Sequence, residues 1–334
     1  MEQRARIGGL VWIVLVVCCV IGDIVNAHRI DLHTHFVPPF YRQYLAERHA
    51  LAGGIPTPDW NVSWHLEVMD QLGIETSVVA ITTPGARIHP DDTLDGRALA
   101  RKLNEYAHYE LVQKYPGRFQ FWATVTLPDV EGSIAEFIHA FDNLGAMGVF
   151  LEANKFGIYL GDPSLDPFFK VLDDYKAVVL LHPNSLPDDA GVPGIPPALV
   201  DFTLDTTRAA LNLVFKNTTR KFPNIRYVLA HSGGFLPFVV YRFAFGAADT
   251  DAVLEQFKEY YFDTALSSSP ASLPSTIAVA MPERITYGTD FPYASEISLQ
   301  RFTNALDTYD MPEWRRMRIN CTNALELFNG FKRV

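Results

Sequence analysis

Two histidines separated by a single residue, His33 and His35, carry the clearest chemical signal near the start of the chain. They belong to the segment DLHTH at 31–35, and side chains two residues apart on a β-strand point to the same face. Both imidazoles would therefore reach the same space, where their nitrogens suit a divalent metal ion. The pair alone is weak evidence, because two histidines with structural roles give the same pattern.

Three further candidates follow other apolar runs. His182 ends the run VVLLH, His231 ends YVLAH, and Asp290 follows the segment ITYGT. Recurrence of such residues at the ends of separate strands predicts that all five side chains converge at one end of a barrel. The other histidines are interpreted as structural or solvated: His28, His49, His65, His89, His108 and His139.

Short apolar or β-branched runs alternate with longer segments of helical period from residue 28 onward, which is typical of βα units around a parallel sheet. The predicted strands are 29–33, 77–81, 119–126, 148–152, 178–182, 226–231, 259–265 and 284–288. The predicted helices are 63–72, 95–115, 132–144, 205–221, 295–308 and 322–328. Eight strands of this kind indicate an α/β protein with a (β/α)8 TIM barrel rather than a doubly wound sheet.

Two segments do not fit the regular alternation. Residues 36–59 follow the first strand, and residues 183–197 hold several prolines after the fifth strand. Long loops in a compact domain usually cover a functional site, and both follow the strand ends where barrel enzymes keep their chemistry. We expect these two segments to border the site.

The charge balance limits the partners of the chain. It has 28 Lys and Arg against 38 Asp and Glu, a formal net charge of −10, which excludes electrostatic capture of nucleic acid. With 48% hydrophobic residues it can bury a large core, and we expect residues 28–334 to form the catalytic domain.

The first 27 residues are predicted to be a targeting segment. Arg4 and Arg6 precede an uncharged apolar run over 7–22, and the segment VNA before His28 suits a signal peptidase. The alternative is an uncleaved membrane anchor over residues 7–25, so the chain would be secreted, held in the endoplasmic reticulum lumen, or membrane-anchored. Glycosylation acceptor patterns, which support this route weakly, begin at Asn61, Asn217 and Asn320.

These motifs together resemble the amidohydrolase superfamily, and within it the branch of aminocarboxymuconate semialdehyde decarboxylase and the resorcylate decarboxylases. The chain length and the segment TDFPY at 289–293 are most similar to the fungal 6-methylsalicylate decarboxylases. The resemblance implies a metal-dependent barrel with one Zn2+, or Mn2+ in its place, bound by His33, His35, His182 and Asp290. Glu152 ends the fourth strand, where binuclear relatives carry a lysine, so one metal is expected rather than two.

The resemblance also implies the roles of the residues around the metal. His231 would lie off the metal as a catalytic proton-transfer group, with Asp290 as the other candidate proton donor. Arg242 would reach across a homodimer interface to the substrate carboxylate of the neighbouring subunit. Pro58 stands where the muconate decarboxylase has a second arginine, which favours a small aromatic monocarboxylate as substrate.

Three aromatic residues, Phe291, Tyr293 and Trp60, are predicted to line the substrate pocket, although core packing would explain each of them as well.

The expected reaction is non-oxidative decarboxylation of a 2-hydroxybenzoate, with 6-methylsalicylate giving 3-methylphenol and CO2 in a fungal polyketide pathway. A lactone or amide hydrolase would use the same site with an activated water molecule. A non-catalytic metal-binding barrel is the third alternative. Product analysis separates the two enzyme hypotheses, because one releases CO2 and the other adds water.

Overall fold

The computed structural model describes residues 29–187 and 191–329. The predicted targeting segment over 1–27 lies outside these described residues, as does His28. Within the described ranges, no helix combines the length and the apolar character that crossing a bilayer requires.

Eight parallel strands form the centre of the fold and follow one another around the sheet in chain order. They are β1 (Arg29–His35), β2 (Ile74–Ala80), β3 (Phe119–Ala123), β4 (Gly148–Glu152), β5 (Val178–His182), β6 (Arg226–Leu229), β7 (Tyr261–Asp263) and β8 (Ile285–Thr286). The two edges meet, because the Leu32 amide donates to the Tyr287 carbonyl at 3.0 Å and the Asp290 amide to the His33 carbonyl at 2.8 Å. The predicted eight-stranded parallel barrel is confirmed.

Helices surround the strands and bury their apolar sides against them, as the apolar helical period predicts. They are α1 (Pro39–Glu47), α2 (Val62–Leu72), α3 (Thr93–Tyr106), α4 (Val130–Leu144), α5 (Asp166–Asp174), α6 (Asp201–Phe215), α7 (Thr218–Lys221), α8 (Leu236–Ala244), α9 (Thr250–Lys258), α10 (Ser272–Val279), α11 (Glu296–Thr308), α12 (Glu313–Met317) and α13 (Asn323–Leu327). Parallel strands covered by helices are buried on both faces, and every residue of β5 is buried.

Several predicted boundaries differ from the structure for local reasons. The segment 36–59 contains α1, which begins with Pro39 at a position where a missing N–H costs nothing. The predicted helix 95–115 ends at Tyr106 and continues as a π-helical segment, Ala107–Val112. The predicted helix 205–221 divides at Asn217, whose φ of 61° is left-handed.

The sixth strand also ends earlier than predicted, at Leu229. His231 and Ser232 follow with φ angles of 53° and 54°, which no strand can contain. This turn lifts the His231 side chain out of the strand and toward the end of the barrel. The segment 183–197, by contrast, has no helix or strand in its described part before Pro197, where the 3-10 turn Pro197–Leu199 begins.

Candidate metal centre

Four side chains predicted as metal ligands meet at the carboxyl ends of the strands. His33 and His35 come from β1, His182 from the end of β5, and Asp290 from the turn after β8. All four are buried, and one ligand atom from each lies within 4.8 Å of the others. The two histidines of β1 share one face because Thr34 between them points to the opposite face, toward α2.

His33 is oriented by a carboxylate behind it. Its Nδ1 donates to Asp263 Oδ2 at 2.7 Å, and both side chains are fully buried. Its Nε2 is buried without a hydrogen-bond partner and lies 3.5 Å from Asp290 Oδ1. A buried nitrogen that points into a ring of donors and has no partner of its own fits a metal ligand.

His35 and His182 are oriented by backbone carbonyls instead. His35 Nδ1 donates to the Ile81 carbonyl at 3.2 Å, and His182 Nδ1 to the Pro183 carbonyl at 2.8 Å. A neutral ring held this way carries its proton on Nδ1, so His35 Nε2 and Asp290 Oδ1 present lone pairs to each other at 3.0 Å. A cation between these atoms removes the repulsion, so the donor set fits a divalent metal.

Burial and neighbouring charges set the proton affinities of this group. Burial alone would lower the pKa of His33, but the Asp263 carboxylate raises that pKa to about 9. Burial lowers the pKa of His35 and of His182, the latter strongly. Burial would raise the pKa of Asp290, yet the neighbouring histidines hold it well below its usual range. Metal binding therefore displaces a proton chiefly from His33.

His231 lies beside the four donors rather than among them. Its ring centroid is 4.8 Å from that of His33 and 5.9 Å from that of His182. Its Nδ1 donates to the Ala265 carbonyl at 3.1 Å, which leaves Nε2 for a second partner. The position suits proton transfer at a group bound next to the metal.

The four residues predicted to contact the substrate occupy different surroundings. Arg242 is exposed on α8, with no ion pair among the described residues. Trp60 Nε1 donates to His65 Nδ1 at 3.1 Å, and the Phe291 ring packs 4.8 Å from the His65 ring. Tyr293, rather than either of these, has its ring edge-on to His35 at 5.6 Å. The predicted role of Trp60 and Phe291 in the substrate pocket stays a prediction.

Two residues that support the centre were not singled out from the sequence. Asp263 ends β7, so the rule that located His182, a polar residue closing an apolar strand, could have found it. His65 was interpreted as structural or solvated, and it is structural: it is buried and shares hydrogen bonds with Trp60 and Thr34. Burial, with the electrostatic effects of His35 and Arg118, lowers its pKa to about 3.

Glu152, expected to replace the lysine of binuclear sites, lies outside the four-residue cluster. Its Oε2 pairs with Lys155 Nζ at 2.8 Å, and Thr83 Oγ1 donates to its Oε1 at 3.1 Å. Both carboxylate oxygens are therefore engaged by partners outside the four-residue cluster.

Comparison with known proteins agrees with this geometry. The amidohydrolase family model matches residues 30–330. A 6-methylsalicylic acid decarboxylase from Penicillium expansum is 33% identical over 322 residues, which cover 92% of this chain and 98% of that protein.

Solved structures share the fold. A crystal structure of an amidohydrolase II superposes with a TM-score of 0.84 at 29% identity, covering 90% of this chain and 99% of that one. The 5-carboxyvanillate decarboxylase of Novosphingobium aromaticivorans, solved with manganese, has a TM-score of 0.80 at 22% identity. That alignment covers 91% of this chain and 97% of the other, and at this identity it shows similarity of fold alone.

Proposed function

We propose an activity for this chain, which belongs to the amidohydrolase family. It is a metal-dependent decarboxylase that removes the carboxylate of a 2-hydroxybenzoate, with 6-methylsalicylate giving 3-methylphenol and CO2. The observation that carries the proposal is the buried cluster of three imidazoles and one carboxylate, with His231 beside it and outside it. The similarity to a 6-methylsalicylic acid decarboxylase over nearly the whole chain supports the substrate.

The ligands of the metal are His33, His35, His182 and Asp290, a donor set that suits Zn2+ and also accepts Mn2+. The bound ion supplies positive charge for the phenolic and carboxylate oxygens of the substrate. Asp263 and the two backbone carbonyls fix the rings so that each Nε2 faces inward.

The proton that replaces CO2 comes from His231 Nε2 of a ring protonated at both nitrogens, because the Nδ1 proton stays hydrogen-bonded to the Ala265 carbonyl. Asp290, the other candidate, is ionised and has no proton to donate, since its neighbours hold its pKa below the usual range. The proton adds to the ring carbon that bears the carboxylate, which becomes tetrahedral. The C–C bond then breaks, its electron pair returns to the ring, and CO2 leaves.

A homodimer completes the site by bringing Arg242 to the substrate carboxylate of the neighbouring subunit. Arg242 lies on α8 beside aromatic side chains that face solvent in the single chain, with Phe238 86% and Phe245 71% exposed. Large apolar side chains grouped on one helix mark an interaction surface. A second copy of the chain is the partner that would cover these aromatic side chains and bind its substrate carboxylate with Arg242.

The test is product analysis with a panel of carboxylates. The protein, loaded with Zn2+ or Mn2+ in parallel, is incubated with 6-methylsalicylate, salicylate, 2,6-dihydroxybenzoate and, as a control, 2-methylbenzoate, which lacks the hydroxyl. We expect CO2 and the matching phenol from the hydroxybenzoates, fastest from 6-methylsalicylate, and none from the control or after chelation. Hydrolysis of an aryl lactone or amide, with no CO2 from any hydroxybenzoate, would contradict the proposal and favour the hydrolase.

Residues 1–27 form a separate part of the proposal, as a signal peptide or an anchor that directs the chain into the secretory pathway. Strand β1 begins at Arg29, so the barrel does not need them. A protein that begins at Ala27 should be soluble, bind metal and be active. Activity found only for the full chain in membranes would contradict this role of residues 1–27. Glycosidase treatment of the secreted protein would test whether Asn61, Asn217 and Asn320 are glycosylated.

A further inference from the structure

The carboxylate of Asp263 touches both functional parts of the site. Its Oδ2 accepts from His33 Nδ1 at 2.7 Å, and its Oδ1 accepts from the backbone N–H of His231 at 2.9 Å and of Ala265 at 3.0 Å. The residue is fully buried, so no solvent competes for these contacts. One side chain therefore links a ligand from β1 to the proton-transfer residue after β6.

The backbone of Asp263 adds a second link to the same turn. Its carbonyl accepts from Ser232 Oγ at 3.1 Å, and the Ala265 carbonyl holds the His231 ring at 3.1 Å. His231 and Ser232 both have left-handed backbone angles, which residues other than glycine adopt at a cost. The contacts with Asp263 offset this strain and keep the His231 ring beside the cluster.

We infer that Asp263 is a positioning residue that couples metal binding at His33 to the placement of His231, an inference that rests on the proposed function. It holds the proton of the His33 ring on Nδ1, so that Nε2 keeps its lone pair toward the metal. It holds the 231–232 turn through the other oxygen. A change at Asp263 should therefore disturb metal affinity and turnover together.

The role requires a carboxylate and not merely a polar side chain of this size. All the partners of the Asp263 side chain are donors, and a carboxylate accepts at both oxygens. An amide accepts at one end only. In Asp263→Asn, the NH2 group can face the His33 ring, which forces the proton of that ring from Nδ1 onto Nε2. Otherwise it faces the two backbone N–H groups, and the 231–232 turn is then held less tightly.

Asp31 offers a matched control within the same core. It is also a buried carboxylate, and it accepts from the His33 backbone N–H at 3.0 Å and from the Thr289 hydroxyl at 2.6 Å. It does not contact an imidazole. In Asp31→Asn the amide oxygen can keep the backbone bonds, and the Thr289 hydroxyl can turn from donor to acceptor.

The experiment measures the apparent Kd for Zn2+ of metal-free wild type, Asp263→Asn and Asp31→Asn by competition with a chelator of known affinity. We expect Asp263→Asn to bind Zn2+ about 10- to 100-fold more weakly, as is usual when the partner of a ligating histidine is changed. With Zn2+ at saturation, its kcat should fall while KM changes little, because the 231–232 turn is loosened. Asp31→Asn should match the wild-type Kd.

The outcomes separate this inference from the proposed function. Wild-type Zn2+ affinity in Asp263→Asn would overturn the inference, whatever the activity of the wild type. A weakened Kd in Asp263→Asn would support it even if the wild type released no CO2 from any hydroxybenzoate, a result that removes only the proposed function.

A measurement on the unchanged protein covers the case in which Asp263→Asn does not fold. In Zn2+-loaded wild type labelled with 15N-histidine, NMR should show the His33 ring with a hydrogen-bonded proton on Nδ1 and none on Nε2. A His33 ring without a proton on Nδ1 would overturn the inference.

Discussion

The histidine cluster and helix α8 both carry proposed functional residues, but they are built in opposite ways. In the cluster, each ligand histidine has its second ring nitrogen hydrogen-bonded inside the same chain, to Asp263 or to a carbonyl. On α8, Arg242 is exposed and Phe238 is 86% exposed. The four donors of the metal site therefore come together within one chain, whereas the surface that carries Arg242 faces solvent in the single chain.

The difference indicates which functions one chain can perform alone. Metal binding depends on buried contacts that exist as soon as the barrel closes. In the proposed function, recognition of a substrate carboxylate by Arg242 depends on assembly, because the guanidinium of an exposed side chain is well solvated and binds weakly. The following variants change either a buried residue or Arg242 on α8.

The largest effect is expected when a ligand is removed. His182→Ala deletes one of four donors, so the metal content should fall to near zero and CO2 release to background. Metal analysis of the purified protein checks this, with His139→Ala as the control because His139 lies on α4, outside the cluster. A metal-loaded His182→Ala protein would show that the site is not the one described.

A smaller effect is expected when the proton-transfer residue is changed. His231→Asn should keep the metal, because His231 is not among the four donors, and lose about 10²- to 10⁴-fold in kcat as general acid catalysts do. Metal content and kcat are measured on the same preparation. Loss of the metal in this variant would make His231 a ligand and contradict its separate role.

A change at Arg242 tests the exposed surface of α8. Arg242→Ala should lower kcat/KM by roughly 10- to 100-fold, since a hydrogen bond to a charged group contributes about 1.5–3 kcal/mol, and should leave the metal bound. Steady-state kinetics and metal content check both halves. Unchanged kinetics would mean that Arg242 serves no site.

Mixing two inactive variants shows whether Arg242 acts on the neighbouring subunit. A heterodimer of Arg242→Ala and His231→Asn chains has one site with its own intact His231 and an intact Arg242 from the partner chain. Part of the activity should return once subunits exchange, as followed by tagged chains. Subunit exchange without recovered activity would contradict the shared site and show that Arg242 does not act on the neighbouring subunit.

The smallest effect concerns stability on the buried side. The pKa of His65 is lowered to about 3, below the ordinary value near 6.5, so only the unfolded chain binds this proton between those values. The free energy of unfolding should then fall as pH falls below about 6.5, by up to about 1.4 kcal/mol per pH unit from this group. In His65→Gln, the free energy of unfolding, measured with urea at several pH values between about 5 and 6, should change less with pH than in the wild type, by up to about 1.4 kcal/mol per pH unit. Equal slopes would mean that His65 is protonated in the native state.

Sequence patterns located the candidate donors because the relevant signals are local. The period of a strand places His33 and His35 on one face, and the ends of apolar runs locate His182 and Asp290. Boundaries were less accurate where backbone geometry departs from the regular pattern, as at His231, whose left-handed φ ends the sixth strand early.

The amino-acid sequence by itself determined the number of strands, the parallel barrel and five candidate donors, since each follows from short-range periodicity and residue type, whereas the choice of four ligands among the five was implied by the family resemblance. Only the tertiary structure decided what orients those donors. Asp263 lies 230 residues from His33 in the chain, yet their side-chain atoms are 2.7 Å apart. Contacts of that separation form only when the barrel closes and brings β7 and β1 to the two sides of β8, so no local pattern contains them. The same holds for His65, whose neutral buried state depends on packing against β1 and not on its own position in a helix.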